Sequence, residues 1–389
     1  MKRKADIFIL AVLFILLMFT TGCWDYREIS EEIIVAGAAF DYDEKNDCLV
    51  VTAEITLPKS SEKGSTFNSK IYTSKGKSVI DAVNKLTSKA GHKLLWSHSK
   101  VIILSEELIE SENLFIGIMD WVKRDLETRD YVWMLLSKEK TAGEIFLKAD
   151  PQTESIISYY LDHVFLTVKS NETYMKVPYW EFMYSLQSED FYAVLPTVTL
   201  EESDKGAIPL VNGTEIISRN KAICWLDGNQ TKTLLLIMDK LRDATFIVEQ
   251  THNEKRQTVS LRILGSKTRI KPILGEKGLV MEVRVQMEAS VSEIDGSKDI
   301  FKKENIKELE KEAERMITGE IKELVNLLKE KYKVDAVRFG DKVENKYPKL
   351  WKQMKNDWGN EFEKISSDIQ VKLEITASDQ SMKITKAGR

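Results

Sequence analysis

Histidine and cysteine are scarce in this chain of 389 residues, with four of the first and three of the second. No HExxH, GxSxG, P-loop or GxGxxG spacing occurs, so the metal, hydrolase and nucleotide chemistries that rest on those spacings lack their usual residues. His92 and His98 are the nearest histidine pair, and across a loop-to-strand junction their separation matches no ligand spacing on one face. Cys48 and Cys224 stand far apart without a CxxC pattern, so no disulfide framework is implied. A single bridge between them stays open; two small apolar thiols in or beside strands is the preferred reading. A basic excess is missing as well: the formal net charge is −4, and nothing in it suggests nucleic acid as a partner. Long apolar runs are limited to one, Ile7 to Phe19. That run is shorter than the roughly 18 to 20 residues that cross a bilayer as a helix.

What the N-terminus does have is the shape of an export signal. Lys2-Arg3-Lys4 precede the apolar run, and Thr20-Thr21-Gly22-Cys23 follow it. Small residues before Cys23 leave the preceding peptide bond accessible, and the thiolate is the nucleophile that lipid transfer requires. Residues 1–22 are therefore read as a lipoprotein signal peptide and Cys23 as the lipidation site. Thr20 stands where bacterial lipoboxes usually carry leucine. The competing reading is an uncleaved anchor lengthened by Thr20, Thr21 and Gly22. Either way the basic end stays in the cytoplasm and everything after Cys23 is exported.

The exported part is long enough for several domains, and its patterning is mixed α and β. In 23–137, Ile33 to Phe40 and Leu49 to Leu57 read as a hairpin around a turn at 43–47, followed by a polar loop from Lys59 to Ser65. Ser78 opens a helix with Val79, Ala82, Val83 and Leu86 on one face, and a second helix spans Glu106 to Lys123. Lys100 to Leu104 and Tyr131 to Leu136 read as strands. The middle region, 138–205, is helix-rich until the strand Ala193 to Leu200, and Asp204-Lys205-Gly206 with Pro209 reads as a linker.

The last unit, 206–389, opens with a hairpin over Thr214 to Trp225 and a helix through Leu234, Ile237, Met238 and Leu241. Strands at Ala244 to Gln250, Thr258 to Ile270 and Leu279 to Val291 follow, two of them alternating as a sheet with one wet face. Lys302 to Tyr332 is a long amphipathic helix with Leu309, Ala313, Ile317, Ile321, Leu324 and Leu328 on one stripe, about 45 Å long at 1.5 Å per residue. Its Lys- and Glu-rich side is read as a solvated face. A final amphipathic helix carries Tyr347, Trp351, Met354, Trp358 and Phe362, and Ile369 to Ile375 closes as a strand.

Chemistry-bearing constellations are few. Glu106-Glu107 and Glu201-Glu202 are acidic pairs of a kind a glycosidase needs in a cleft, but solvated surface is their default. Tyr179, Trp180, Phe182 and Tyr184 form an aromatic cluster better suited to core packing or a partner interface than to sugar stacking, and Trp351 with Trp358 reads as a buried stripe. No catalytic residue, metal site or cofactor site is expected.

Several segments, taken in order, resemble the Ger(x)C family, the C-subunit lipoproteins of bacterial spore germinant receptors. They are Gly22-Cys23-Trp24-Asp25 with Arg27-Glu28-Ile29; His98-Ser99-Lys100-Val101-Ile102; Arg124 to Arg129; Gly213 to Trp225; Ser266 to Pro272; Asp335-Ala336-Val337-Arg338-Phe339-Gly340; and Tyr347-Pro348, Trp351 and Trp358. The resemblance implies an α+β chain of three mixed α/β domains without catalytic activity. It also implies integral membrane A and B subunits as partners, the B subunit transporter-like. The complex would sit in the inner membrane of the spore, this chain on its outer face through a diacylglyceryl anchor. The expected role is a non-catalytic subunit needed for receptor assembly or signalling in spore germination. A nutrient-binding lipoprotein at the membrane surface is the alternative.

Overall fold

The computed structural model describes residues 32–378 apart from 62–63, 125–130, 168–171, 188–191, 205, 219, 253–254, 277, 296–299 and 301. The expected signal peptide, Cys23 and the segment Trp24 to Ile29 therefore lie outside the described residues.

Small and β-branched residues in β1 (Glu32–Asp43) and the unbroken apolar run of β5 (Val101–Leu104) place both strands in the middle of a sheet. In β5 every residue is buried: Ile102 and Leu104 face one apolar cluster, Val101 and Ile103 another. A strand buried on both sides has no polar alternation, which is how parallel strands covered by helices read. The nine-stranded sheet runs β3 (Gly64–Gly76), β2 (Cys48–Ser61), β1, β5, β6 (Trp133–Ser137), β7 (Tyr192–Ser203), β8 (Gly206–Ser218), β9 (Lys221–Leu226), with β4 (Lys93–Leu95) paired to β1. The centre, β1–β5–β6–β7, is parallel and the flanks are antiparallel hairpins.

Helices α1 (Val79–Ala90), α2 (Glu106–Glu110), α3 (Glu112–Arg124) and α6 (Tyr179–Leu186) contribute to one cluster; α4 (Gly143–Lys148) and α5 (Ile157–Thr167) contribute to the other. Ser78 caps α1, accepting from Asp81 N at 3.2 Å. Lysines of α1 also cover the outer edge of β3: Lys89 Nζ donates to Thr73 O and Lys85 Nζ to Lys75 O. Covering an edge in this way blocks unwanted strand pairing.

A second sheet, β10 (Thr245–His252), β11 (Lys255–Gly275), β12 (Gly278–Asp295), β13 (Ser366–Ser378), is antiparallel except that β13 runs parallel to β12. Helix α7 (Gly228–Ile237) touches strands of both sheets and is buried along most of its length; its buried polar side chains are hydrogen-bonded, Thr231 Oγ1 donating to Leu226 O at 3.3 Å and Lys232 Nζ to Thr245 O at 3.0 Å. The stripe of α8 (Lys303–Asn326) is buried at Leu309, Ala313, Ile317, Ile321 and Leu324. One apolar cluster joins these residues to the first sheet.

Four readings are corrected. The polar loop at Lys59 to Ser65 belongs to a long hairpin whose second strand, β3, had no apolar alternation to announce it. The helix expected over Glu106 to Lys123 breaks at Ser111, whose ψ of 81° leaves the helical region. The stretch read as a linker closes a hairpin, Ser203 pairing with Gly206. The last amphipathic helix, expected through Tyr347 to Phe362, is two short ones, preceded by a separate helix: α9 (Phe339–Lys346) comes first, then α10 (Pro348–Met354) and α11 (Trp358–Lys364). Pro348 brings no N–H to continue α9 and holds Tyr347 out of helical geometry.

The charged side of α8 is not simply solvated. Glu314 Oε1 accepts from Leu373 N at 3.0 Å and Glu310 Oε1 from Ile375 N at 2.9 Å, so two glutamates satisfy the outer edge of β13. Residues 327–332 end the long helix as a π turn. No helix among the described residues is long and apolar enough to cross a membrane.

Candidate functional site

Pro178 starts α6 by accepting from Glu181 N and Phe182 N at 3.1 Å each, and the helical turn then divides the aromatic cluster. Tyr179 and Phe182 are buried, Tyr179 donating its hydroxyl to Met119 O at 2.6 Å. Trp180 and Tyr184, one turn apart, are 48% and 69% exposed. Between them Glu181 reaches across to Lys240 at 2.6 Å, tying α6 to the segment that precedes β10. A cleft of about 90 Å³ lies here, with Tyr184, Tyr192, Lys240, Asp335, Arg338 and Trp358 in its wall.

Asp335 is the most constrained acid in the wall. Its Oδ1 accepts from Phe339 N at 2.9 Å; its Oδ2 accepts from Gly340 N at 2.6 Å and from Trp358 Nε1 at 3.0 Å. It thus holds the free N–H groups at the start of α9. Burial pushes its carboxyl up to about 7 against those three donors, with Asp341 adding to the rise. Arg338, in the left-handed region at φ 60°, pairs with Asp341 at 2.6 Å. No histidine or cysteine lines the cleft. The nearby Ser185 hydroxyl is spent on Glu181 O at 3.0 Å. An acid with backbone donors and no nucleophile or base beside it is built to hold a turn.

Two further buried carboxylates act in the same way. Asp41 accepts from Ala142 N at 2.5 Å and Gly143 N at 3.0 Å, fixing the start of α4. Glu54 accepts from Ile157 N, Ser158 N and Ser158 Oγ at 2.6 to 2.8 Å, fixing α5. Burial raises both carboxyls. Sequence reading missed all three: Asp41 and Glu54 meet their helices only through the fold, whereas Asp335 lies four residues before Phe339 in the DAVRFG string, a local trace whose capping role was not read.

The segments that carry the family resemblance are mostly spent on architecture. Ser99 donates to Val35 O at 3.0 Å, Lys100 pairs with Asp162 at 3.1 Å, and Val101 and Ile102 enter β5. Gly213, at φ 79°, packs against Trp225, whose indole donates to Thr197 Oγ1 at 3.0 Å. Trp351 and Trp358 meet edge to face at 4.8 Å. Glu106 pairs with Lys138 at 3.3 Å, and Glu201 and Glu202 are exposed on β7. His92, His98 and His163 are exposed at separate places in the chain. Among the described residues no group of three or more metal-ligating side chains gathers. Cys48 and Cys224 are both free, and burial pushes the Cys224 thiol up to about 11.

These features describe a two-sheet α+β scaffold with structural carboxylates, and the comparisons place it among spore germination proteins. A profile described as the spore germination protein N-terminal domain matches residues 25–200, and one described as spore germination B3/GerAC like, C-terminal, matches residues 212–379. Spore germination protein B3 of Bacillus subtilis (strain 168) is 25% identical, over 94% of this chain and 96% of its own length. Spore germination protein KC of the same strain is 22% identical over 93% and 92%, and the GerQC protein of Bacillus cereus is 22% identical over 94% and 98%. The crystal structure of the GerBC protein has the same fold, with a TM-score of 0.57 at 21% identity over 87% of this chain and 96% of that one. The chain belongs to the Ger(x)C family.

Proposed function

We propose that this chain is the lipid-anchored, non-catalytic C subunit of a nutrient germinant receptor, acting in spore germination. In this reading Cys23 carries a diacylglyceryl group, the domain lies on the outer face of the inner spore membrane, and its partners are the integral membrane A and B subunits. The observation that carries the reading is the match to spore germination proteins along almost the whole chain. The geometry agrees with it: buried acids and family motifs maintain shape, while the large exposed aromatics Trp180 and Tyr184 suit contact with another protein. Lipid tethering raises the effective concentration at the membrane, so individually weak contacts suffice for assembly. Spores lacking this chain should lose the response to the receptor's nutrient and regain it on complementation, and immunoblots for the A and B subunits would separate failed assembly from failed signalling. An undiminished nutrient response would refute the role.

Nutrient binding by this chain itself is the second reading, favoured by the cleft beside Lys240 and Arg338. Both cations are already neutralised, by Glu181 and Asp341. The volume of about 90 Å³ is also well below the several hundred Å³ of ordinary ligand pockets. Calorimetric titration with candidate nutrients tests it: saturable heat would move the ligand site onto this subunit.

A further inference from the structure

The outward face of the second sheet carries a row of cations along β11, with Glu282 and Glu288 on β12 and Asp368 and Glu374 on β13 beside it and Glu282 directly opposite Lys271. A bulge between Ile263 and Gly265 shifts the alternation along β11, so Lys267, Arg269 and Lys271 are all exposed, two residues apart. At about 3.4 Å per residue the row is about 14 Å long. None of the three has an ion-pair partner among the described residues. Arg269 stands directly opposite Arg284 on β12, and like charges so placed destabilise an antiparallel pair. Arg284 reaches Glu282 at 2.6 Å and Asp368 at 3.3 Å through Nη2, while its Nη1 is buried with no hydrogen-bond partner. A depression of about 220 Å³ lies among these cations, walled also by Glu282 and Gln286.

The same strand ends in apolar residues. Ile273 and Leu274 are 42% and 61% exposed just before the hairpin turn between Gly275 and Gly278, where Glu276 is the acidic residue. We propose that this hairpin and its cation row rest on an anionic phospholipid surface. Ile273 and Leu274 enter the boundary between headgroups and acyl chains, and Lys267, Arg269 and Lys271 meet the phosphates. A charged layer over an apolar one is what a strand with cations followed by an apolar tip complements. Long basic side chains also reach back to the headgroups when their stems are buried. An acidic peptide would match the cations but leave the apolar tip without a partner. The inference rests on the tethered reading for the presence of a membrane, and adds the contact that would fix the domain's orientation on it.

The test uses the chain from residue 23 onward with Cys23→Ser, so that no lipid contributes, sedimented with vesicles of phosphatidylcholine alone or with phosphatidylglycerol added. Binding is expected only with phosphatidylglycerol and should weaken with salt. Each cation near an anionic surface strengthens partitioning about fivefold, so Arg269→Glu with Lys271→Glu should weaken it by more than about tenfold. Leu274→Asp should weaken it with the charges intact. Arg269→Glu turns a like-charge pair into an opposite one, so its thermal midpoint should equal or exceed the parent's, which separates lost binding from lost folding. Absence of vesicle binding, equal binding to both vesicle types, or insensitivity to charge reversal overturns the proposal. Capture by polyglutamate without vesicle binding also overturns it and assigns the face to an acidic protein segment. None of these failures touches Cys23 lipidation, which the mass of the native N-terminal peptide reads separately.

Discussion

Trp358 donates its indole N–H to Oδ2 of Asp335 across 3.0 Å, with both side chains buried. The bond joins the start of α9 to the start of α11, and Gly340 lies between them, its N–H on the same carboxylate oxygen. One acid thereby organises the C-terminal helices and one wall of the cleft.

That acid predicts a pH dependence. The folded carboxyl titrates near 7 and its ordinary value is 3.8, so between those values the folded chain holds a proton that the unfolded chain has released. Stability from this group is complete below about pH 4 and is lost as pH rises through about 7. Asp335→Asn cannot ionise and should flatten this part of the profile. Thermal midpoints of parent and variant between about pH 4 and pH 8 provide the measurement, and two parallel curves would contradict the assignment.

Glu54 predicts a contrast between two substitutions. Glu54→Ala leaves the N–H groups of Ile157 and Ser158 and the Ser158 hydroxyl without their acceptor. At about 1 to 3 kcal/mol for each unsatisfied buried group, the loss should reach several kcal/mol. Glu54→Gln keeps one carbonyl oxygen and should lose roughly half as much. Urea unfolding followed by tryptophan fluorescence measures both, and equal losses would mean that packing, and not the cap, is what matters.

Asp41 and Glu54 also mark the limit of what could be read from the chain alone. The spacing of Leu309, Ala313, Ile317 and Ile321 announces α8 because a helix repeats locally, and the apolar run Val101 to Leu104 announces a doubly covered strand. Glu54 and Ser158 are more than a hundred residues apart, and no local pattern records their meeting. β3 was hidden because Gly64 to Gly76 is polar, its edge being covered by Lys85 and Lys89 instead of by apolar contacts. The continuation of the first sheet through β8 and β9 was hidden because Asp204 and Gly206 suit a linker and a hairpin turn equally well. The cation row on β11 was visible as basic residues, but its single-sided exposure depends on a bulge at Leu264 that composition does not signal.

The Trp351–Trp358 contact predicts that both enlargement and truncation fail. A Cβ on Gly340 would sit 2.8 Å from Trp351 Cη2 and 3.2 Å from Trp358 Cε2, so Gly340→Ala should cost about 1 to 3 kcal/mol by overpacking. Trp351→Ala should cost about 3 to 5 kcal/mol as a truncated buried aromatic. Combined, the two should cost less than their sum, because the space emptied by one receives the methyl of the other. Strict additivity in chemical denaturation would deny the contact. Unchanged unfolding of Trp351→Ala with lost nutrient response would make the ring an interface element.

Cys23→Ala should abolish lipid attachment and release the subunit from its membrane, or leave it held only by the unprocessed signal. Each methylene buried in lipid contributes about 0.8 kcal/mol, and a single acyl chain holds only marginally; the two chains of a diacylglyceryl group give stable anchoring where a bare polypeptide would not. Detachment should reduce the nutrient response without abolishing it if contacts with the membrane subunits and the cationic sheet face retain part of the protein. A triple variant adding Arg269→Glu and Lys271→Glu to Cys23→Ala should then release more protein than Cys23→Ala alone or the charge reversals alone, measured by fractionating spore membranes. The mass of the mature N-terminal peptide decides the central claim. A diacylglyceryl mass on Cys23 with residues 1–22 removed supports it, and an unmodified Cys23 still joined through Gly22 to the signal would establish an uncleaved anchor in its place.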